Sequence, residues 1–129
     1  MSIAWFIIML SAFLSLVPIH AFCESVTYTC HYQTYGDDKG IHKLENDLKL
    51  VFLVDTNENA KMVNSDGKSE VAVDMMYSPS GGVAFIEKKG GADVLATSID
   101  MRGKSVHSRN IIIDGQVFPA QYFGTCTKK

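Results

Sequence analysis

Before Glu24, from Met1 to Cys23, the chain holds no Asp, Glu, Lys or Arg. All 12 basic and 14 acidic residues follow, dispersed rather than blocked, for a net charge of −2. That balance offers no concentrated basic face, which argues against nucleic acid as a partner. Cysteine is scarce, at three residues, and no Cys-x-x-Cys occurs, so a dithiol redox role is excluded. His-Glu-x-x-His, Gly-x-Ser-x-Gly and paired-cysteine metal motifs are missing too. No catalytic residue, metal ligand or cofactor follows from the sequence. No repeat, low-complexity segment or long linker divides the chain.

Several partial motifs fail on inspection. Asp66-Gly67-Lys68-Ser69 ends like a phosphate loop, but the upstream glycine position holds Met62, so a plain β-turn is expected. Asp55, Asn57, Asn59 and Asp66 imitate a calcium loop, yet Ala60 stands where glycine is required, and a solvated turn is preferred. His31, His42 and His107 lie in separate segments. His107 and Ser108, as strand neighbours, point to opposite faces and cannot share a proton.

What is present begins with the uncharged N-terminus. Ile3 to Val17 is almost wholly apolar, Pro18-Ile19-His20 breaks the run, and Ala21-Phe22-Cys23 places small residues at both recognition positions of a cleavage site. This reads as a secretory signal over residues 1–23, leaving 24–129 as one domain. A retained anchor competes with that reading, since about 20 apolar residues span a bilayer. A cleaved chain has no stable membrane association. Cutting after Cys23 leaves an even pair, Cys30 and Cys126, suited to a disulfide in an oxidising compartment, periplasmic or extracellular. Closing a loop of about 100 residues is worth roughly 4.7 kcal/mol in the chain-entropy model.

The rest reads as strands and turns. Val26, Tyr28, Cys30 and Tyr32 alternate with polar residues, and Leu48 to Val54, Ala60 to Asn64 and Val71 to Tyr77 follow in kind. Ile41 to Asn46 is ambiguous between a helical turn and a loop. Val83 to Glu87, Asp93 to Asp100, Lys104 to Ile113 and Gln116 to Cys126 continue the series. Asp114-Gly115 is the strongest turn signal, because both central positions of a type I′ turn need positive φ. About eight short strands with no long helix imply an all-β antiparallel meander, as barrel or sandwich. A Cys30–Cys126 bond requires the first and last strands to be neighbours, which favours a small closed barrel.

A two-residue turn at Asp114-Gly115 pairs His107 with Tyr122, Ser108 with Gln121, Arg109 with Ala120 and Ile111 with Phe118. His107, Arg109 and Tyr122 then share a face. With Gln121 on the same hairpin they form the candidate binding residues, a cationic and aromatic patch suited to a partner protein or an acidic group. Pro119 cannot donate to a ladder, so a bulge or a free edge is expected there.

Val106-His107-Ser108-Arg109 with Pro119-Ala120-Gln121-Tyr122-Phe123-Gly124-Thr125-Cys126 resembles the ending of small uncharacterised exported proteins of Gram-negative bacteria. The size, leader, disulfide and barrel are also similar to periplasmic inhibitors of C-type lysozyme. That likeness implies inhibition through a Ser-Gly-containing loop, for which Ser78-Pro79-Ser80-Gly81-Gly82 would stand. The expectation is an exported, non-enzymatic binding protein with a protein partner, as a periplasmic inhibitor or a secreted effector of a host-associated bacterium. The alternative is a carrier of a small apolar ligand in the barrel. A third reading is a hydrolase built from a histidine and carboxylates on several strands.

Overall fold

The computed structural model describes residues 25–64, 66–88 and 92–129. The leader read at residues 1–23 lies outside them, as do Ser65 and turn residues 89–91. Eight strands are described: β1 (Val26–Asp37), β2 (Gly40–Val54), β3 (Ala60–Val63), β4 (Glu70–Tyr77), β5 (Val83–Lys88), β6 (Val94–Ile99), β7 (Lys104–Ile113) and β8 (Gln116–Lys128). Each pairs antiparallel with the next, and β8 returns to β1, so the sheet is a closed barrel rather than a sandwich. Closure removes the unpaired edges that an open meander would expose.

The alternation read in the sequence becomes an inside and an outside. Tyr28, Cys30 and Tyr32 of β1 face inward with Leu50, Phe52 and Val54 of β2, and Val83 and Phe85 of β5 meet them across the axis. Phe52 and Phe85 stack with centroids 4.3 Å apart, and Tyr28 meets Phe85 edge-on at 5.5 Å. Cys30 stands directly opposite Cys126 on the β1–β8 seam, with Cα atoms 4.0 Å apart, and the two are disulfide-bonded.

Short polar turns join the strands. Asp55 Oδ1 accepts the backbone N–H groups of Asn57 and Asn59, and Asp66 Oδ1 accepts those of Lys68 and Ser69. Both near-motifs are thus carboxylates closing their own turns. Asp114 and Gly115 have φ of 51° and 76°, and Ile113 pairs with Gln116, as a type I′ hairpin requires.

Two findings alter the strand reading. Ile41 to Asn46 is neither a helical turn nor a loop; it is the first half of β2. Its pairing with β1 is interrupted where Leu44 to Asp47 bulge opposite Gln33, and the ladder resumes at Thr34 and Lys43. Against β8, Gln33 is the extra residue between Tyr32, which faces Gly124, and Thr34, which faces Phe123. An added residue flips the side-chain parity of a strand. Tyr32 faces inward below the bulge, and Tyr35 faces inward above it, opposite Tyr122.

The second finding concerns Pro119, which faces Asn110 without a shift in register. Counting hydrogen-bonded and non-hydrogen-bonded pairs alternately from Ile113–Gln116, Pro119 falls at a non-hydrogen-bonded pair, with its nitrogen turned away from β7. On that side β1 has already parted from β8, since their last pair is Gly36–Gln121. Proline costs no hydrogen bond there.

Candidate functional site

The strands differ in height, and this shapes the end of the barrel that holds the Asp38-Lys39 and Asp114-Gly115 turns, called the upper end. β3 pairs with β2 only over Val51 to Val54, and β6 reaches β7 only as far as Val94–Asn110. The β1–β2 and β7–β8 hairpins therefore rise above the rest as two arms. Between them lies a cleft of about 350 Å³, lined by Tyr35, Asp37, Asp38, Lys39, Arg109, Ile111, Phe118, Pro119, Ala120 and Tyr122 among others.

The base of the cleft is an aromatic column. His42 stacks on Tyr35 at 4.9 Å, and Tyr35 stacks on Tyr122 at 5.7 Å. Tyr122 meets His107 at 5.8 Å, and His107 meets Tyr32 at 6.0 Å, so the column runs from the arm into the core. Its deep end is tied by hydrogen bonds. Thr97 Oγ1 and His107 Nδ1 are 2.8 Å apart, and Tyr32 Oη and Ser105 Oγ are 2.9 Å apart, with Ser105 Oγ donating to the Ser98 carbonyl. Burial pushes the Tyr32 phenol above its ordinary pKa, and the Ser105 hydrogen bond partly offsets that rise.

One tier above, Glu87, Leu95, Arg109 and Ala120 face one another across β5 to β8. Glu87 is almost wholly buried while Arg109 is partly open, which places this tier at the floor of the cleft. At the rim, the Asp37 carboxylate lies 2.9 Å from His42 Nε2 and accepts the Lys39 backbone N–H at 2.9 Å. The His42 hydrogen bond is the main reason that its pKa lies below the ordinary aspartate value, with the Lys39 N–H second. Both tether the tip of the β1–β2 arm.

Apolar side chains crown the arms: Ile41 is 72% exposed on one, and Ile113 at 50%, Val117 at 61% and Phe118 at 48% stand on the other. The upper edge of β7 is closed by Asp93, whose Oδ1 accepts the Ile112 backbone N–H at 2.8 Å. A carboxylate on a strand edge discourages a further strand from pairing there. At Ile112 that edge therefore presents a carboxylate rather than a free backbone donor.

The four residues singled out from the sequence are arranged as the pairing required, and then divide. His107 opposes Tyr122 and Arg109 opposes Ala120, on one face. That face turns inward: His107 is 3% exposed, because it packs between Tyr32 and Tyr122, so an outside partner does not reach it. Arg109 and Tyr122 line the cleft. Gln121 points outward on the opposite face, opposite Ser108 and Gly36. The residues missed are Tyr35, Asp37, His42 and the apolar tips. Only Ile111-Ile112-Ile113 carried a signal, since three successive β-branched residues give a strand two apolar faces where a barrel needs one.

The remaining histidines do not converge. His31 is exposed and His42 belongs to the arm. Among the described residues no group of three or more His, Cys, Asp or Glu is placed to hold a metal ion. No family model, curated protein or solved structure matches this chain.

Proposed function

We propose that this chain is an exported, non-enzymatic protein-binding module that grips its partner between the β1–β2 and β7–β8 arms. The observation that carries the reading is the exposure of Ile41 at the tip of one raised hairpin and of Ile113, Val117 and Phe118 at the tip of the other, where Val117 and Phe118 line the cleft. Apolar side chains held out on a rigid scaffold are costly in water and mark interaction surfaces. Beside them, Asp37, Asp38, Lys39 and Arg109 supply charges of both signs, the polar complement of an apolar anchor. The partner's side chain enters the cleft against Tyr35 and Tyr122, while the tips cover its flanks. The carrier reading has less support, because Tyr28, Tyr32, Phe52, Phe85 and the disulfide occupy the barrel axis.

Removal of residues 1–23 belongs to this proposal, and the disulfide supports a periplasmic or extracellular address. Intact-mass measurement of the exported protein is expected to give a chain starting at Glu24 with no free thiol. The binding surface is tested by placing a photo-crosslinking residue at Phe118 and, as a control, at Asn57 on the opposite end. A discrete adduct is expected from Phe118 alone, and lost when Ile113→Asp and Val117→Asp are added. Equal adducts from both positions, or adducts indifferent to the aspartates, would sink the reading.

A further inference from the structure

A barrel exterior is convex, yet this one is hollowed near its lower end. Met76, Ala84, Ser98 and Val106 form an outward-facing row across β4, β5, β6 and β7. The two central members are small and the flanking ones are not, so the row is a trough with Ala84 and Ser98 as its floor. The turns after β4 and β6 close its end, where Tyr77 is 58% exposed and Met101 76% exposed. The hollow measures about 750 Å³ and is lined mainly by apolar atoms.

Its charge is lopsided. Arg102 and Lys104 stand exposed in the lining, and the one carboxylate, Asp100, turns Oδ1 to their backbone N–H groups at 2.9 Å each. The Asp100 side chain thus holds its own turn, and the ion pairs of the described residues involve neither Arg102 nor Lys104, both exposed. The upper cleft differs, since there Asp37 and Asp38 balance Lys39 and Arg109. Flexible methionines at a rim adapt to the shape of what they cover.

From this geometry we propose a second docking site, separate from the arms, for an extended protein segment that sets an apolar side chain between acidic residues. The apolar side chain lies over Ala84 and Ser98 beneath Met76 and Met101, and the acidic residues meet Arg102 and Lys104. An extended segment suits an open trough, whereas an acyl chain would remain largely wet, and pockets for small ligands enclose most of their ligand.

The test uses residues 24–129 with the disulfide intact and three probes: a fluorescein-labelled peptide alternating Glu with Leu and Phe, the same peptide with Lys for Glu, and laurate. Saturable binding of the Glu peptide alone is expected, with amide NMR shifts at Ala84, Ser98, Met101 and Arg102. Arg102→Glu with Lys104→Glu is expected to weaken it by about tenfold or more, roughly 1.4 kcal/mol. Ser98→Trp, which fills the floor without touching charge, is expected to do the same, while Ile113→Asp leaves it unchanged. Equal affinity for the Glu and Lys peptides, binding of laurate alone, no saturable binding, or loss of binding in Ile113→Asp would each overturn the proposal. The last of these would return the peptide to the arms and leave the first reading standing.

Discussion

Gly124 occupies the tightest point of the β1–β8 seam. A Cβ there would collide with the His31 carbonyl oxygen and come within 2.8 Å of the Tyr32 Cα, both backbone atoms that no side-chain rotation relieves. Tyr32 faces Gly124 there, at the last pair before the Gln33 bulge. Gly124→Ala is therefore expected to cost about 1–3 kcal/mol, the range for overpacking, read as a lower urea midpoint with an unchanged m-value. A midpoint within error of wild type would show that the seam yields. Acid acts on residues of another kind. Asp37 is held below its ordinary pKa chiefly by His42, Asp55 chiefly by the Asn59 N–H and Asp66 chiefly by the Lys68 N–H. A carboxylate with a depressed folded pKa contributes stability above its unfolded pKa of about 3.9, and loses it as pH falls through the folded value. These three carboxylates thus add no pH dependence above about pH 5, and urea midpoints are expected to fall below about pH 4 as they protonate. Asp37→Asn, Asp55→Asn and Asp66→Asn together should flatten the acid limb, and an unchanged limb would refute the assignment.

At the level of the element, the β7–β8 hairpin was legible because its information is local. Asp-Gly fixes the turn, the turn fixes the register, and the register places His107 opposite Tyr122. Which face turns inward is not local, since it depends on how the hairpin joins β6 and β1. His107 accordingly read as surface and lies in the core. The first half of β2 hid for a related reason. The bulge from Leu44 to Asp47 breaks the period-2 pattern, and Gln33 shifts Tyr35 to the inward face with no mark in the sequence beyond one polar residue. The raised hairpin also makes its turn separable from the core. Replacing Asp114 and Gly115 by alanine puts a new side chain at Gly115 in a left-handed region that costs roughly 1–2 kcal/mol per residue, and removes at Asp114 a side chain that tolerates that region better than alanine. Because Ile111 to Phe118 extends past both neighbouring strands, that cost belongs to the arm. Hydrogen exchange is expected to quicken at the Ile111 and Ile113 amides and to hold at Thr97 and His107. Uniform acceleration would mean that arm and barrel unfold as one.

For the molecule as a whole, the disulfide closes a barrel that its ladder already closes. Thr27 and Lys129 exchange backbone hydrogen bonds at 2.9 Å each way, and the seam continues up to Gly36–Gln121. Counting alternate pairs from Thr27–Lys129 puts Cys30 and Cys126 at a non-hydrogen-bonded pair, in keeping with their 4.0 Å Cα separation and with the Cys126 N–H donating instead to the Gly103 carbonyl. Thr29–Thr127 and His31–Thr125, on either side, supply the hydrogen bonds of the seam. The folded state thus needs the sulfur bond little, and its effect falls on the unfolded chain, where joining residues 96 apart removes most end-to-end freedom. Cys30→Ser with Cys126→Ser is expected to lower stability by up to about 4–5 kcal/mol, a large share of the roughly 5–15 kcal/mol of a small domain. Amide NMR spectra of the folded double variant should nevertheless match wild type away from positions 30 and 126, with exchange protection retained at Thr29 and His31. If protection there vanished while β4 to β6 kept theirs, the bond would be holding the seam shut, and the closed sheet would owe its last pairing to two sulfur atoms rather than to the ladder.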